Sequence, residues 1–157
     1  MLSRPGPLPT GPAWSFELKW DGFRALVSTE DGLRVRSRRG WNMTPVIPEL
    51  RGLPSGLVLD GELVAWRESE PYFPLVCRRV LNRDMSVPLT FVIFDLLRQK
   101  GVDLTTRPYS ERRRSAAHAA RGGGDPAPPR QTRALCAPAA ESAAHVQTPA
   151  WARRPRP

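Results

Sequence analysis

The chain has 157 residues, 40% apolar and 25% charged, which is enough for one globular domain with a real core and argues against disorder throughout. A net charge of +9 normally points to nucleic acid, but residues 112–157 hold nine basic residues against two acidic ones, leaving 15 against 13 in residues 1–111. Bulk charge is therefore weak evidence for DNA binding, and with no run of about 18 apolar residues and no apolar leader in MLSRPGPLPTGPAW, a membrane span and a secretory signal are not expected.

Residues 1–13 are rich in Pro and Gly and read as an extended lead-in. From Trp14 the pattern becomes strand-like. Phe23, Ala25 and Val27 alternate with Arg24, Leu26 and Ser28; after the turn Glu30-Asp31-Gly32, Leu33, Val35 and Ser37 alternate with Arg34, Arg36 and Arg38. Two alternating runs around Asp-Gly predict a β-hairpin. Segment 41–56, with three prolines and two glycines, reads as a loop with at most a short helical turn. Leu57–Trp66 is the next strand, with Leu57, Leu59, Leu63 and Ala65 on one face. Residues 73–83 show apolar residues at helical spacing. Residues 89–97, LTFVIFDLL, suit a central strand buried on both faces. Cys77 and Cys136 lie in unlike surroundings and suggest neither a disulfide framework nor a metal cluster, so a reducing cytoplasm is the expected compartment.

Arg107–Arg112 looks like the start of another helix, with Ser110 placed to cap it. From Ser115 onward no apolar periodicity follows. Arg, Ala, Pro and Gly make up 32 of the 46 residues from 112 to 157, a composition that does not offset its ordering entropy. A disordered tail over 115–157 is the expectation. These four residue types are encoded by GC-rich codons, and the chain uses 22 Arg against 2 Lys, so a shifted reading frame would produce such a tail.

One of the two lysines stands in Lys19-Trp20-Asp21-Gly22-Phe23-Arg24. Taken alone this reads better as a turn with exposed charges. Three further features follow in order: Ser37-Arg38-Arg39-Gly40 at the hairpin's end, Asp60-Gly61-Glu62 inside an apolar strand, and Phe94-Asp95 inside another. Arg38 alone reads as a solvated hairpin end, Glu62 as an edge-strand residue and Phe94 as core. Together they fit one site better.

In this order and spacing the four segments resemble motifs I, Ia, III and IIIa of the covalent nucleotidyltransferases. Over residues 14–114 the wording is most similar to the adenylation domain of bacterial ATP-dependent DNA ligases; RNA ligases and capping enzymes share the first motif. The resemblance implies an α+β fold, mostly antiparallel sheet with short helices. It further implies ATP and Mg²⁺ (or Mn²⁺) as cofactors and nicked double-stranded DNA as partner, at the nucleoid. Lys19 would carry AMP, Arg24 contact the ribose, Glu62 accept from the ribose hydroxyls, Phe94 stack on adenine and Arg38 contact phosphate. Glu17 and the backbone of Leu18 would read the adenine edge.

The chemistry is coherent. A lysine amine attacks phosphorus only when unprotonated, and an ordinary lysine with a pKa of about 10.4 is almost wholly charged at neutral pH. Burial and nearby cations lower that value, and Arg24 and Arg38 are the cations in the same hairpin. The family pattern continues with Glu-Gly and Lys-x-Lys motifs and an OB domain. No Glu precedes Gly in this chain, and Lys100 is the only lysine after Lys19. The resemblance thus implies part of an adenylation domain, with little activity alone. The competing expectation is a non-catalytic nucleic-acid-binding polypeptide using the Arg-rich tail with Arg34, Arg36, Arg38 and Arg39.

Overall fold

The structure, a computed structural model, describes residues 10, 11, 14 and 16–120 and the strand at 132–136. It contains two compact units, Met1–Leu18 with Pro138–Pro157, and Lys19–Ala137. The second unit holds an α+β fold. The alternating runs form β1 (Phe23–Ser28) and β2 (Arg34–Ser37), an antiparallel hairpin whose turn places Gly32 at φ +86°. β3 (Leu57–Val64) pairs antiparallel with the other edge of β1. A small hairpin of β4 (Trp66–Arg67) and β5 (Glu70–Pro71) leads into helix α1 (Phe73–Asn82). β6 (Leu89–Gln99) then runs antiparallel along β3, followed by β7 (Val102–Asp103), helix α2 (Tyr109–Ala120) and β8 (Thr132–Cys136). The sheet order is β2-β1-β3-β6-β7, and β8 lies parallel to the Leu89–Ile93 end of β6.

The period-two pattern assigns the two faces. Ala25, Val27, Leu59, Leu63, Phe91 and Ile93 are fully buried on the inner face. They are covered by α1, through Val76 and Val80, and by the segment read as a loop. That segment forms two 3-10 helices, Thr44–Val46 and Pro48–Gly52, each with proline in its first positions, where a missing N–H costs nothing. It contributes Met43, Val46, Ile47 and Leu50 to the core. Arg79 of α1, 1% exposed, ties this segment down by donating to the Val46, Met85 and Val87 carbonyls and pairing with Glu49.

Two expectations for the C-terminal part change. α2 begins at Tyr109, so Ser110 lies inside its first turn, and the Pro108 carbonyl accepts from the Glu111 and Arg112 N–H groups. The helix also continues through Ala120, past the boundary at 114, and residues 132–136 form a strand. Alanine is the strongest helix former, and a face of Tyr, Arg and Ala binds to the sheet through polar groups that leave no apolar stripe in the sequence. The remainder of the expected tail lies outside the described residues.

Candidate functional site

The outer face of the sheet is charged. Arg24 stands opposite Glu62 and Leu26 opposite Asp60, so all four side chains emerge on the side away from the main core. Arg24 leans diagonally to Asp60 and binds it through both prongs, Nε to Oδ1 at 3.0 Å and Nη2 to Oδ2 at 2.6 Å. That hydrogen bond raises the guanidinium's pKa above its ordinary value. The Arg24 guanidinium carbon also lies 5.6 Å from the centre of the Phe94 ring.

Glu62 makes no such ion pair among the described residues. Burial pushes its pKa up to about 7, against the opposing pull of the Arg24 and Lys19 charges, while Asp60 and Asp21 add to the rise. Lys19 is exposed, yet its charge is felt at Glu62. Gly22 explains how the lysine segment comes so near. A Cβ there would lie 2.1 Å from the Leu63 carbonyl oxygen and 2.9 Å from Glu62 Cγ, so only glycine lets this backbone lie against β3. Gly61 does the same between β3 and β6, where a Cβ would meet the Val92 oxygen at 2.5 Å.

Phe94 owes its position to a β-bulge. Asp60 pairs with Asp95 but Gly61 pairs with Ile93, which leaves Phe94 as the extra residue on β6. The inward apolar positions therefore step from Ile93 to Leu96 instead of to residue 95. Bulges of this kind re-aim side chains beside sites. On the same outer face, Trp20 and Trp66 meet edge to face at 5.8 Å and pack on Val64 and Val92.

The structure thus groups Lys19, Arg24, Glu62 and Phe94. Arg38 stands exposed at the tip of a turn closed by Gly40 N–H to Ser37 O (2.9 Å) and Trp41 N–H to Ser37 Oγ (3.1 Å), with Gly40 at φ +81°. Glu17 and Leu18 belong to the other unit. The role of Asp60 as the partner of Arg24 emerges only in the structure. Its signal was the even spacing from Glu62, which puts both carboxylates on one face.

A family model described as the ATP dependent DNA ligase domain matches residues 9–123. The multifunctional non-homologous end joining protein LigD of Mycolicibacterium smegmatis is 39% identical over 118 residues, covering 71% of this chain and 15% of that protein. DNA ligase C of Mycobacterium tuberculosis is 34% identical over 126 residues, 72% of this chain and 35% of that protein. The crystal structure of the ligase domain of M. tuberculosis LigD superposes with a TM-score of 0.57 at 36% identity, covering 65% of this chain and 35% of that one. A structure of mycobacterial DNA ligase D complexed with ATP and MES gives the same TM-score at 35% identity, over 68% and 37%. This chain spans about a third or less of these relatives. The match nevertheless runs from the lead-in through α2, and the chain belongs to the family of ATP-dependent DNA ligase domains.

Proposed function

We propose that the outer sheet face binds ATP and that Lys19 takes up its AMP, for transfer to the 5′-phosphate at a nick in DNA during repair. The observation that carries this reading is the pairing of Arg24 with Glu62 on the outer face and the Phe94 ring 5.6 Å from the Arg24 guanidinium, beside the backbone at Gly22 that packs against β3 three residues after Lys19. In it, the unprotonated Lys19 amine attacks the α-phosphorus, the bond to the β-phosphate oxygen breaks, and pyrophosphate leaves with a phosphoramidate behind. Phe94 offers an aromatic surface to adenine, and ionised Glu62 accepts from the ribose hydroxyls. Arg24, anchored by Asp60, contacts the ribose from a fixed position. Arg38 takes phosphate at the exposed turn. The solved relative complexed with ATP supports the choice of nucleotide.

The described residues include no cluster of three groups fit to cage a metal by themselves. A Mg²⁺ or Mn²⁺ ion brought with the nucleotide would find carboxylates in Asp21 and Glu62, neither of which is in an ion pair among the described residues. No helix among the described residues is long and apolar enough to cross a membrane, and the reading places the chain in the cytoplasm with the nucleoid.

Incubation with α-labelled ATP and Mg²⁺ should give weak covalent labelling that Lys19→Ala abolishes. The labelling is weak because the sequence has no Lys-x-Lys pair to neutralise the α-phosphate. Preference for GTP would favour a capping-type activity instead. A second reading, DNA binding without catalysis, draws on the exposed Arg34, Arg36, Arg38 and Arg39 beside Trp41. Its mark is salt-sensitive DNA binding that survives Lys19→Ala, with no adduct formed.

A further inference from the structure

β6 is paired on its outer edge at both ends but not in the middle. β8 covers Leu89–Ile93 and β7 covers Arg98–Gln99. The bulge that carries Phe94 falls in the gap, where a strand has the least backbone support. Three residues of α2 fill it. Arg113 Nη1 donates to the Ile93 carbonyl at 3.1 Å, and the Tyr109 hydroxyl donates to the Phe94 carbonyl at 3.2 Å. Arg112 grips Asp95 with both prongs, at 2.9 and 2.8 Å, and its remaining nitrogen donates to the Arg107 carbonyl at 2.7 Å. Tyr109, Arg112 and Arg113 have the i, i+3, i+4 spacing that puts side chains on one face of a helix. Three consecutive bulge residues are thus held by one turn of α2. The Arg112–Asp95 pair is about 15% exposed on each side, sheltered enough to resist solvent.

We infer that Tyr109 and Arg112 are positioning residues for nucleotide recognition: they fix the Phe94 ring in the orientation that receives the base. The inference rests on the proposed ATP site and concerns its binding step, not the transfer to Lys19. Neither residue touches the nucleotide. Each acts through the bulge, so its effect depends on the aromatic ring at 94.

The test is equilibrium binding of ATP and CTP to the full chain by calorimetry, for the wild type, Tyr109→Phe, Arg112→Lys, Phe94→Leu and the double variants with Phe94→Leu. Loss of one such hydrogen bond is expected to weaken ATP binding by about 3- to 10-fold. CTP, with its smaller stacking surface, should be affected less, so that preference for ATP shrinks. In the Phe94→Leu background, Tyr109→Phe and Arg112→Lys should have no further effect, because the group they orient is gone. Equal weakening in both backgrounds, or equal loss for ATP and CTP, would overturn the inference, as would a wild-type chain that binds no ATP. Arg112→Lys keeps the charge and gives an independent answer if Tyr109→Phe folds poorly. If the wild type binds ATP and the cycle behaves as described but Lys19 takes no label, the transfer reading fails and the positioning role stands.

Discussion

The two faces of the β1–β3–β6 sheet are made from alternate residues of the same strands, yet they are held by opposite means. On the inner face, Ala25, Val27, Leu59 and Leu63 are closed to water and stabilised by burial and packing. On the outer face, Arg24, Asp60 and Glu62 are only half-buried, and charge is retained there through geometry. Asp60 has a bidentate partner; Glu62 has none among the described residues, and its pKa climbs to about 7. A half-buried sheet position can therefore raise a carboxylate's pKa through desolvation even while the Arg24 and Lys19 charges pull it down.

Breaking the inner face should have the largest effect on stability. Leu63→Ala is expected to cost about 2–5 kcal/mol by chemical denaturation, since it opens a cavity beside Phe91 and Ile93. Breaking the outer face at Asp60→Asn should cost less, about 1 kcal/mol, because the Arg24 side chain is 39% exposed and water screens the lost pair. Asp60→Asn also reaches the nucleotide site. Arg24 freed from Asp60 is drawn to Glu62, so ATP binding should weaken by more than the stability loss explains.

A pH dependence is the third expected effect. Folding raises the Glu62 pKa from its ordinary 4.5 to about 7. Between those values the unfolded chain has released a proton that the folded chain still holds, so stability should fall as pH rises from about 4.5 to 7 and level off above. Glu62→Gln should flatten that part of the profile in thermal melts across the range. An unchanged slope would mean that Glu62 ionises as an ordinary surface carboxylate.

Much of the inner face could be read from the sequence, because alternation in Phe23–Val27, Leu33–Ser37 and Leu57–Leu63 has a single structural solution when one face must be dry. The 3-10 segment could not be read this way. Its prolines resemble a loop, and three-residue turns carry no period by which Met43, Ile47 and Leu50 announce burial. The start of α2 could be read from the sequence, but its continuation was hidden for a different reason: it meets β6 with Tyr109, Arg112 and Arg113, residues that ordinarily signal solvent. The bulge at Phe94 left one trace: Asp95 stands where strict alternation from Ile93 would put an inward apolar residue, and Leu96 takes that inward position instead. On the outer face, residue identities and order pointed to a family. The division of labour between Asp60 and Glu62 is a matter of side-chain geometry and needed the structure.

The chain has only two lysines, and one measurement uses that fact directly. Incubate the full chain with ATP and Mg²⁺, digest it under alkaline conditions that preserve phosphoramidates, and map the AMP-bearing peptide by mass spectrometry. AMP should appear on the peptide containing Lys19 and be lost in Lys19→Ala. AMP on the Lys100 peptide, or no AMP on either, would contradict Lys19 as the acceptor.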